Sequence, residues 1–194
     1  MNTKIIFITS NKHKIAEINQ ILKIKNTIIT DYLSEFNQMI QYEENAWSFE
    51  GNALKKIEHV NPLSNTYYMS EDSGLCVDAL NGAPGIFSAR YCGENSSSQL
   101  QCRSILQELS NSENRSAKFV CCLAIKAPNG ETFIFRGEVL GRISRKMAGE
   151  KGFGYDPIFI PNGYDKTMAE LNNKNLLSHR FNALTKFKKW FLEI

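Results

Sequence analysis

Apolar positions along this chain switch repeatedly between strand-like runs and helical spacing. Residues 4–9 form a short run rich in Ile and Phe, which predicts a buried strand. Ser10 and Asn11 follow as cap candidates, and Ile15, Ile18, Ile21 and Leu22 then recur at helical spacing. Residues 27–30 predict a second, β-branched strand, and the polar stretch 31–45 predicts an irregular loop. Ser48 precedes a helix whose Phe49, Ala53, Leu54, Ile57 and Val60 share a face, and Asn61-Pro62 ends it.

In the second half, residues 67–70 and 75–80 read as extended runs on either side of a turn, Glu71-Asp72-Ser73-Gly74. The turn-rich Asn81-Gly82-Ala83-Pro84-Gly85 leads into residues 86–91. Residues 96–109 predict a capped amphipathic helix with Leu100, Ile105, Leu106 and Leu109 inward. Residues 117–126 and 132–143 predict strands joined by a hairpin at Pro128-Asn129-Gly130. Residues 148–163 read as a loop, and a helix from about 176 to 191 closes the chain. Because hairpins and helical crossovers alternate, the expected fold is α/β with a mixed sheet.

Composition narrows the class. With 194 residues, 42% hydrophobic, the chain suffices for one large domain or two lobes sharing a core. Its longest apolar run, residues 119–125, is far below the roughly 20 residues a membrane helix needs. The first residues lack the pattern of a secretory signal, so a cytoplasmic protein with no membrane partner is expected. A formal charge of +3 permits a small anionic substrate, whereas a nucleic-acid binder carries a denser basic stripe. Cys76, Cys92, Cys102, Cys121 and Cys122 contain no C-x-x-C pair, which points to reduced, buried thiols.

Four segments could carry chemistry. Thr9, Ser10, Asn11, Lys12, His13 and Lys14 lie where a strand feeds a helix, and a helix N-terminus favours phosphate. The alternative is an ordinary cap with solvated lysines. Glu71 and Asp72 could hold Mg²⁺ and orient water, or could belong to a solvated turn. In Gly152-Phe153-Gly154-Tyr155-Asp156-Pro157 the glycines let backbone approach a ligand and the aromatic could stack on a base; the alternative is a turn with a core aromatic. Lys174 with Ser178, His179 and Arg180 offers donors for a ligand rich in carbonyl oxygens, or simply a polar start to a helix. His13 and His59 read as surface residues when taken alone.

Together these pieces resemble the inosine triphosphate pyrophosphatase family, the non-canonical purine nucleoside triphosphatases. The matching residues are Thr9-Ser10-Asn11 with Lys14 and Glu17, Phe49 with Asn52, Ala53 and Lys56, and Glu71-Asp72-Ser73-Gly74. They continue with Val77-Asp78-Ala79-Leu80, Gly82, Pro84-Gly85, Ser88-Ala89-Arg90-Tyr91 and residues 152–159. Thr167, Ala169-Glu170-Leu171, Lys174 and Ser178-His179-Arg180 complete the set, in family order over nearly the whole chain. The resemblance implies one catalytic domain over residues 1–194, an elongated mixed sheet flanked by two lobes with the active site in their cleft, and commonly a homodimer. It implies Mg²⁺-dependent splitting of ITP, dITP and XTP between the α and β phosphates, which cleanses the nucleotide pool.

In those terms residues 9–14 would hold the triphosphate, with Lys56 as a further cation. Asp72 would bind the metal and act on the attacking water, and Ser73 would contact substrate beside it. Phe153 would stack on the base within the loop of Gly154, Tyr155 and Asp156. Donors on Lys174, His179 and Arg180 would meet the 6-oxo group that distinguishes these purines from adenine. One departure stands out: Gly51 occupies a position where many members carry Glu, leaving Glu50 or Glu71 to supply a second carboxylate. Rival readings are a related pyrophosphatase for modified pyrimidines, an inactive nucleotide sensor, and a nucleic-acid binder using Lys186, Lys188, Lys189 and Trp190. Phe87 and Tyr91 are candidate interface aromatics, with core packing the favoured reading.

Overall fold

The computed structural model describes residues 3–38, 40, 42 and 45–194. Met39, Gln41, Glu43 and Glu44, part of the stretch read as an irregular loop, lie outside the described residues. In chain order the elements are β1 (Thr3–Ile8), α1 (Lys12–Ile21), β2 (Thr27–Asp31), α2 (Tyr32–Phe36), α3 (Phe49–Glu58) and β3 (Thr66–Val77). There follow α4 (Ser98–Glu108), β4 (Ser116–Lys126), β5 (Thr132–Ile143), β6 (Phe159–Pro161) and α5 (His179–Glu193), with short 3₁₀ turns between them. The six strands form one sheet in the order β2-β1-β3-β4-β5-β6. β1 is parallel to β2 and β3 while β5 is antiparallel to β6, so the sheet is mixed, as the alternation of crossovers and hairpins requires. Among the described residues no helix is long and apolar enough to cross a membrane.

The chain divides into two compact units. The first comprises Met1–Asp72, Cys121–Gly137 and Arg180–Ile194. Its strands are apolar at successive positions because both faces are covered. Ile5 and Phe7 pack with Ile18 of α1, with Leu22 at its C-cap and with Leu184 and Phe187 of α5. Ile6 and Ile8 point the other way, onto Ala53 and Ile57 of α3. The same alternation continues along β3, where Met69 joins the α1/α5 side and Tyr68 the α3 side.

The second unit comprises Ser73–Val120 and Glu138–His179. Its core gathers Leu75, Val77, Ile105, Leu109, Phe119, Ile158 and Phe159. Ser97 caps α4 by accepting the Leu100 amide at 3.2 Å. Cys102, Ile105 and Leu109 form the inward stripe of α4 and its C-terminal cap, which leaves Leu100 51% exposed instead of inward as expected. Two residues from Cys102 is about 200° around a helix, so the two side chains cannot share a face. Phe87 is 46% exposed with the Arg90 guanidinium over its ring, contrary to the core role read for it, whereas Tyr91 packs against the core and donates to Glu108 at 2.7 Å.

Three local expectations are corrected. Residues 32–36 are helical, because the Asp31 carboxylate caps them by accepting the Ser34 amide at 2.9 Å. Residues 159–161 form a strand that pairs with β5, where Gly141 lets the two backbones meet: a Cβ there would lie 2.3 Å from the Ile160 carbonyl oxygen. Finally, residues 71–74 are no turn. β3 runs straight through them, and Ser70, Glu71, Asp72 and Leu75 are all buried, so strand burial overrides the turn-forming composition.

Candidate active site

The continuity of β3 decides how its two carboxylates are used. Successive strand residues face opposite sides, so Glu71 follows Met69 toward α1 and α5, and Asp72 follows Ser70 toward α3. Two carboxylates pointing apart cannot share an ion. Glu71 therefore does not supply the second carboxylate that Gly51 leaves missing.

On the α1/α5 side Glu71 enters a buried ion network. Arg180, the second residue of α5, is 1% exposed and grips Glu71 bidentately, with Nε 2.6 Å from one oxygen and Nη2 2.7 Å from the other. Its remaining nitrogen bonds Glu17 of α1, and Lys14 Nζ lies 3.0 Å from Glu71. The two cations and two carboxylates cancel, which is what makes their burial tolerable. Burial pushes the Glu71 carboxyl up, but Arg180 and Lys14 outweigh it and hold the group well below the usual carboxylate range. Burial pushes the Arg180 guanidinium down, and Glu71 and Glu17 reverse that to an upward shift.

The segment residues 9–14 occupies the start of α1. Asn11 is the N-cap, its Oδ1 accepting the amides of His13 at 3.0 Å and Lys14 at 3.3 Å, and Thr9 Oγ1 accepts the Asn11 amide at 3.1 Å. Those two helix amides are thus engaged by the cap. Ser10, Lys12 and His13 are exposed, and His59 is too.

On the other side of β3, α3 presents Asn52, Ala53 and Lys56 inward. Ser70 Oγ donates to the Ala53 carbonyl at 2.6 Å, which ties the helix to the strand. Asp72, 6% exposed, receives the Asn52 amide on Oδ2 at 3.1 Å, and Lys56 Nζ stands 3.6 Å from its Oδ1. Lys56 also donates to the Glu71 carbonyl at 2.9 Å and lies over the Tyr42 ring. Glu50, in the first turn of α3, is held by Arg136. Among the described residues no group of three or more His, Cys, Asp or Glu converges on a point. Mg²⁺ does not need one, since it takes one or two protein carboxylates and completes its shell with phosphate oxygens and water. Asp72 fits that donor set as a single carboxylate.

In the second unit the Gly152–Asp156 stretch closes on itself. Asp156 accepts the Phe153 amide at 3.0 Å and the Lys174 ammonium at 2.9 Å, and that ammonium lies over the Phe153 ring at 5.4 Å. Gly152 is required here, with φ at +80° and a Cβ position 1.9 Å from Asp156 Oδ2. Gly154 also has positive φ, and its carbonyl accepts the Cys102 thiol. Tyr155 turns inward, 4% exposed, and donates to the Ser88 carbonyl at 2.9 Å. His179 stacks on Phe119 with centroids 4.8 Å apart. Phe153, Asp156 and Lys174 are thus brought together, Tyr155 packs in the core, and Ser73 follows Asp72 with its side chain on the opposite strand face. The sequence reading assigned no role to Glu17 or Asn52. Their signal was a polar residue on an apolar helix face, at i+3 from Lys14 and i−4 from Lys56.

Three comparisons bear on this geometry. The model of the Ham1 family matches residues 5–190. The dITP/XTP pyrophosphatase of Oceanobacillus iheyensis is 42% identical over 191 residues, covering 96% of this chain and 97% of the relative. That of Bacillus subtilis is 42% identical over 188 residues, covering 95% and 94%. Among solved structures, the Staphylococcus aureus Ham1 protein is similar with a TM-score of 0.87 at 38% identity, over 98% of this chain and 99% of that one. A HAM1 protein from Coxiella burnetii gives 0.88 at 33% identity, over 99% and 100%.

Proposed function

The chain belongs to the Ham1 family, and from that membership we propose a Mg²⁺-dependent mechanism in which Asp72 is the catalytic carboxylate. The protein is an enzyme that hydrolyses non-canonical purine nucleoside triphosphates, the activity that its relatives' name, dITP/XTP pyrophosphatase, specifies. The products of such a reaction are the nucleoside monophosphate and pyrophosphate. We assign the phosphates to residues 9–14 and Lys56 and the base to Phe153, Lys174 and His179, the whole chain serving as one catalytic domain.

The observation that supports this reading best is the Asp72 carboxylate, buried yet bracketed by Lys56 at 3.6 Å and Asn52 at 3.1 Å. A carboxylate so placed keeps its direction, and accepts a hydrogen bond from the attacking water. Mg²⁺, when bound by Asp72, would offset phosphate charge and acidify water. Lys56 adds a fixed positive charge against the charge developing on the phosphates. Lys14 leaves part of its interaction with Glu71 for the triphosphate, and the exposed Ser10, Lys12 and His13 complete the contact from the start of α1.

Phe153 stacks on the purine, and stacking tolerates any base. Selection then falls to donors. Lys174, aimed by Asp156, and His179 meet a 6-oxo acceptor, whereas the amino group of adenine would leave them opposed. Arg180 is fully engaged by Glu71 and Glu17, so its contribution is to hold α5 and α1 to β3. A cytoplasmic homodimer completes the proposal, with gel filtration as its check. Asp72→Asn tests the core of it: dITP turnover should vanish while the circular-dichroism spectrum of the folded chain is kept. Turnover near that of the parent would remove Asp72 from the reaction.

A further inference from the structure

We propose that Asn52 is a positioning residue for Asp72, and that Gly51 is what permits it to act so. The inference rests on the assignment of Asp72 to the reaction. Asn52 is 0% exposed and sits on the inward face of α3, one turn before Lys56. Its amide has two polar ends with different neighbours. The Ala46 backbone N–H, which can only donate, lies 3.0 Å from Oδ1. The Asp72 carboxylate, which accepts, lies 3.1 Å from Nδ2. Each partner separately demands the same orientation of the amide, so the side chain is locked with its donor on Asp72.

That lock depends on the segment ahead of α3 lying close against the first turn of the helix. Ser48 caps it, its Oγ accepting the Gly51 amide at 3.0 Å and its carbonyl accepting the Asn52 amide at 3.0 Å. Lys55 bonds Asn45 from the next turn. At Gly51 a Cβ would stand 2.8 Å from the Ala46 Cβ and 3.1 Å from Ser48 Oγ. Real side chains do not approach so closely, and the Ala46 Cβ moves only with its backbone. Any residue larger than Gly at position 51 therefore pushes Ala46 away from the helix, and with it the N–H that orients Asn52. Gly51 is thus coupled to the aim of the catalytic carboxylate. Asn52 fixes Oδ2, Lys56 faces Oδ1, and a rotation of the Asp72 carboxyl would break the first contact.

The test uses the full chain. In a metal-free, ¹⁵N-labelled sample the Asn52 side-chain amide signals, identified by their loss in Asn52→Asp, should move in Asp72→Ala. Signals that stay in place overturn the contact. In dITP turnover with Mg²⁺, Asn52→Ala should lower kcat on the order of 10²-fold with KM within about threefold, since misplacing a reacting group by about 1 Å costs that much. A kcat within about threefold of the parent, or a loss carried by KM instead, overturns the positioning role. Gly51→Ala should lower kcat by about tenfold while keeping the circular-dichroism spectrum and thermal midpoint, and full retention of kcat overturns the role of Gly51. Should Asn52→Ala fail to fold, Gly51→Ala and the amide signals decide the matter together. A parent enzyme inactive on dITP would refute the functional reading while leaving the amide signals to judge Asn52.

Discussion

Replacing Arg180 by Met keeps the length of the side chain and removes its charge from beneath β3. Glu71 and Glu17 would then lie buried with Lys14 as the cation left among the four. Removing one partner of a buried ion pair costs about 3–5 kcal/mol, because the other charge stays uncompensated. A chain of this size has roughly 5–15 kcal/mol in total, so the change consumes a large part of it. At about 2–4 °C per kcal/mol the melting midpoint should fall by about 6–20 °C. Arg180→Lys should recover part of this, since it restores charge without the bidentate fork.

The deficit of Arg180→Met should also depend on pH with a defined sign. In the parent, Glu71 is held well below its reference value of 4.5, so its contribution is present above that value and is lost as pH falls through the depressed one. Without Arg180, burial, already the largest single influence, is opposed by Lys14 alone, and the carboxyl rises. A raised group contributes stability at low pH that is lost as pH rises through its folded pKa. The gap between parent and variant should therefore narrow between about pH 7.5 and about pH 5. Urea denaturation followed by circular dichroism at both values measures it. A deficit under about 1 kcal/mol at neutral pH, or one that does not narrow, would refute the network as the clamp of the first unit.

Gly152→Ala should raise KM for dITP and lower the melting midpoint, because its Cβ would collide with Asp156 Oδ2 and break the hold on Phe153 and Lys174; unchanged KM would separate that loop from the base. Thiol titration at about pH 8 should modify Cys76 and Cys92 quickly and Cys102, Cys121 and Cys122 only on unfolding, since burial carries the Cys102 thiol to about 12 and pushes those of Cys121 and Cys122 up as well. Fast reaction at all five positions would contradict the packing of β4 and α4. Chelation by EDTA should stop turnover without a shift in melting midpoint larger than about 2 °C, because among the described residues no cage of protein ligands depends on the ion; a large shift would reveal a structural metal.

Much of the fold could be read from residues alone where local and tertiary demands agree. Asn11 and Ser48 cap α1 and α3 as their spacing predicts, and the hairpin at Gly130 turns with positive φ as Asn-Gly favours. Legibility failed where burial overrode composition. Glu-Asp-Ser-Gly reads as a turn, yet β3 carries it through the sheet, and only that continuity shows Glu71 and Asp72 facing apart. β6 was hidden by Gly and Pro on either side, and Leu100 by the phase of α4. At the site, the residue types were visible and their partners were not. Arg180 reads as a donor for a ligand, but it meets Glu17 from a position 163 residues away in sequence, a contact no local pattern can announce.

The central claim is that this enzyme splits non-canonical purine triphosphates to the monophosphate and pyrophosphate and leaves ATP alone. Incubation with dITP, ITP, XTP and ATP in Mg²⁺, with products resolved by ion-exchange chromatography, tests it most directly. The account predicts monophosphate and pyrophosphate from the first three and little product from ATP. Orthophosphate release, or comparable turnover of ATP, would contradict it.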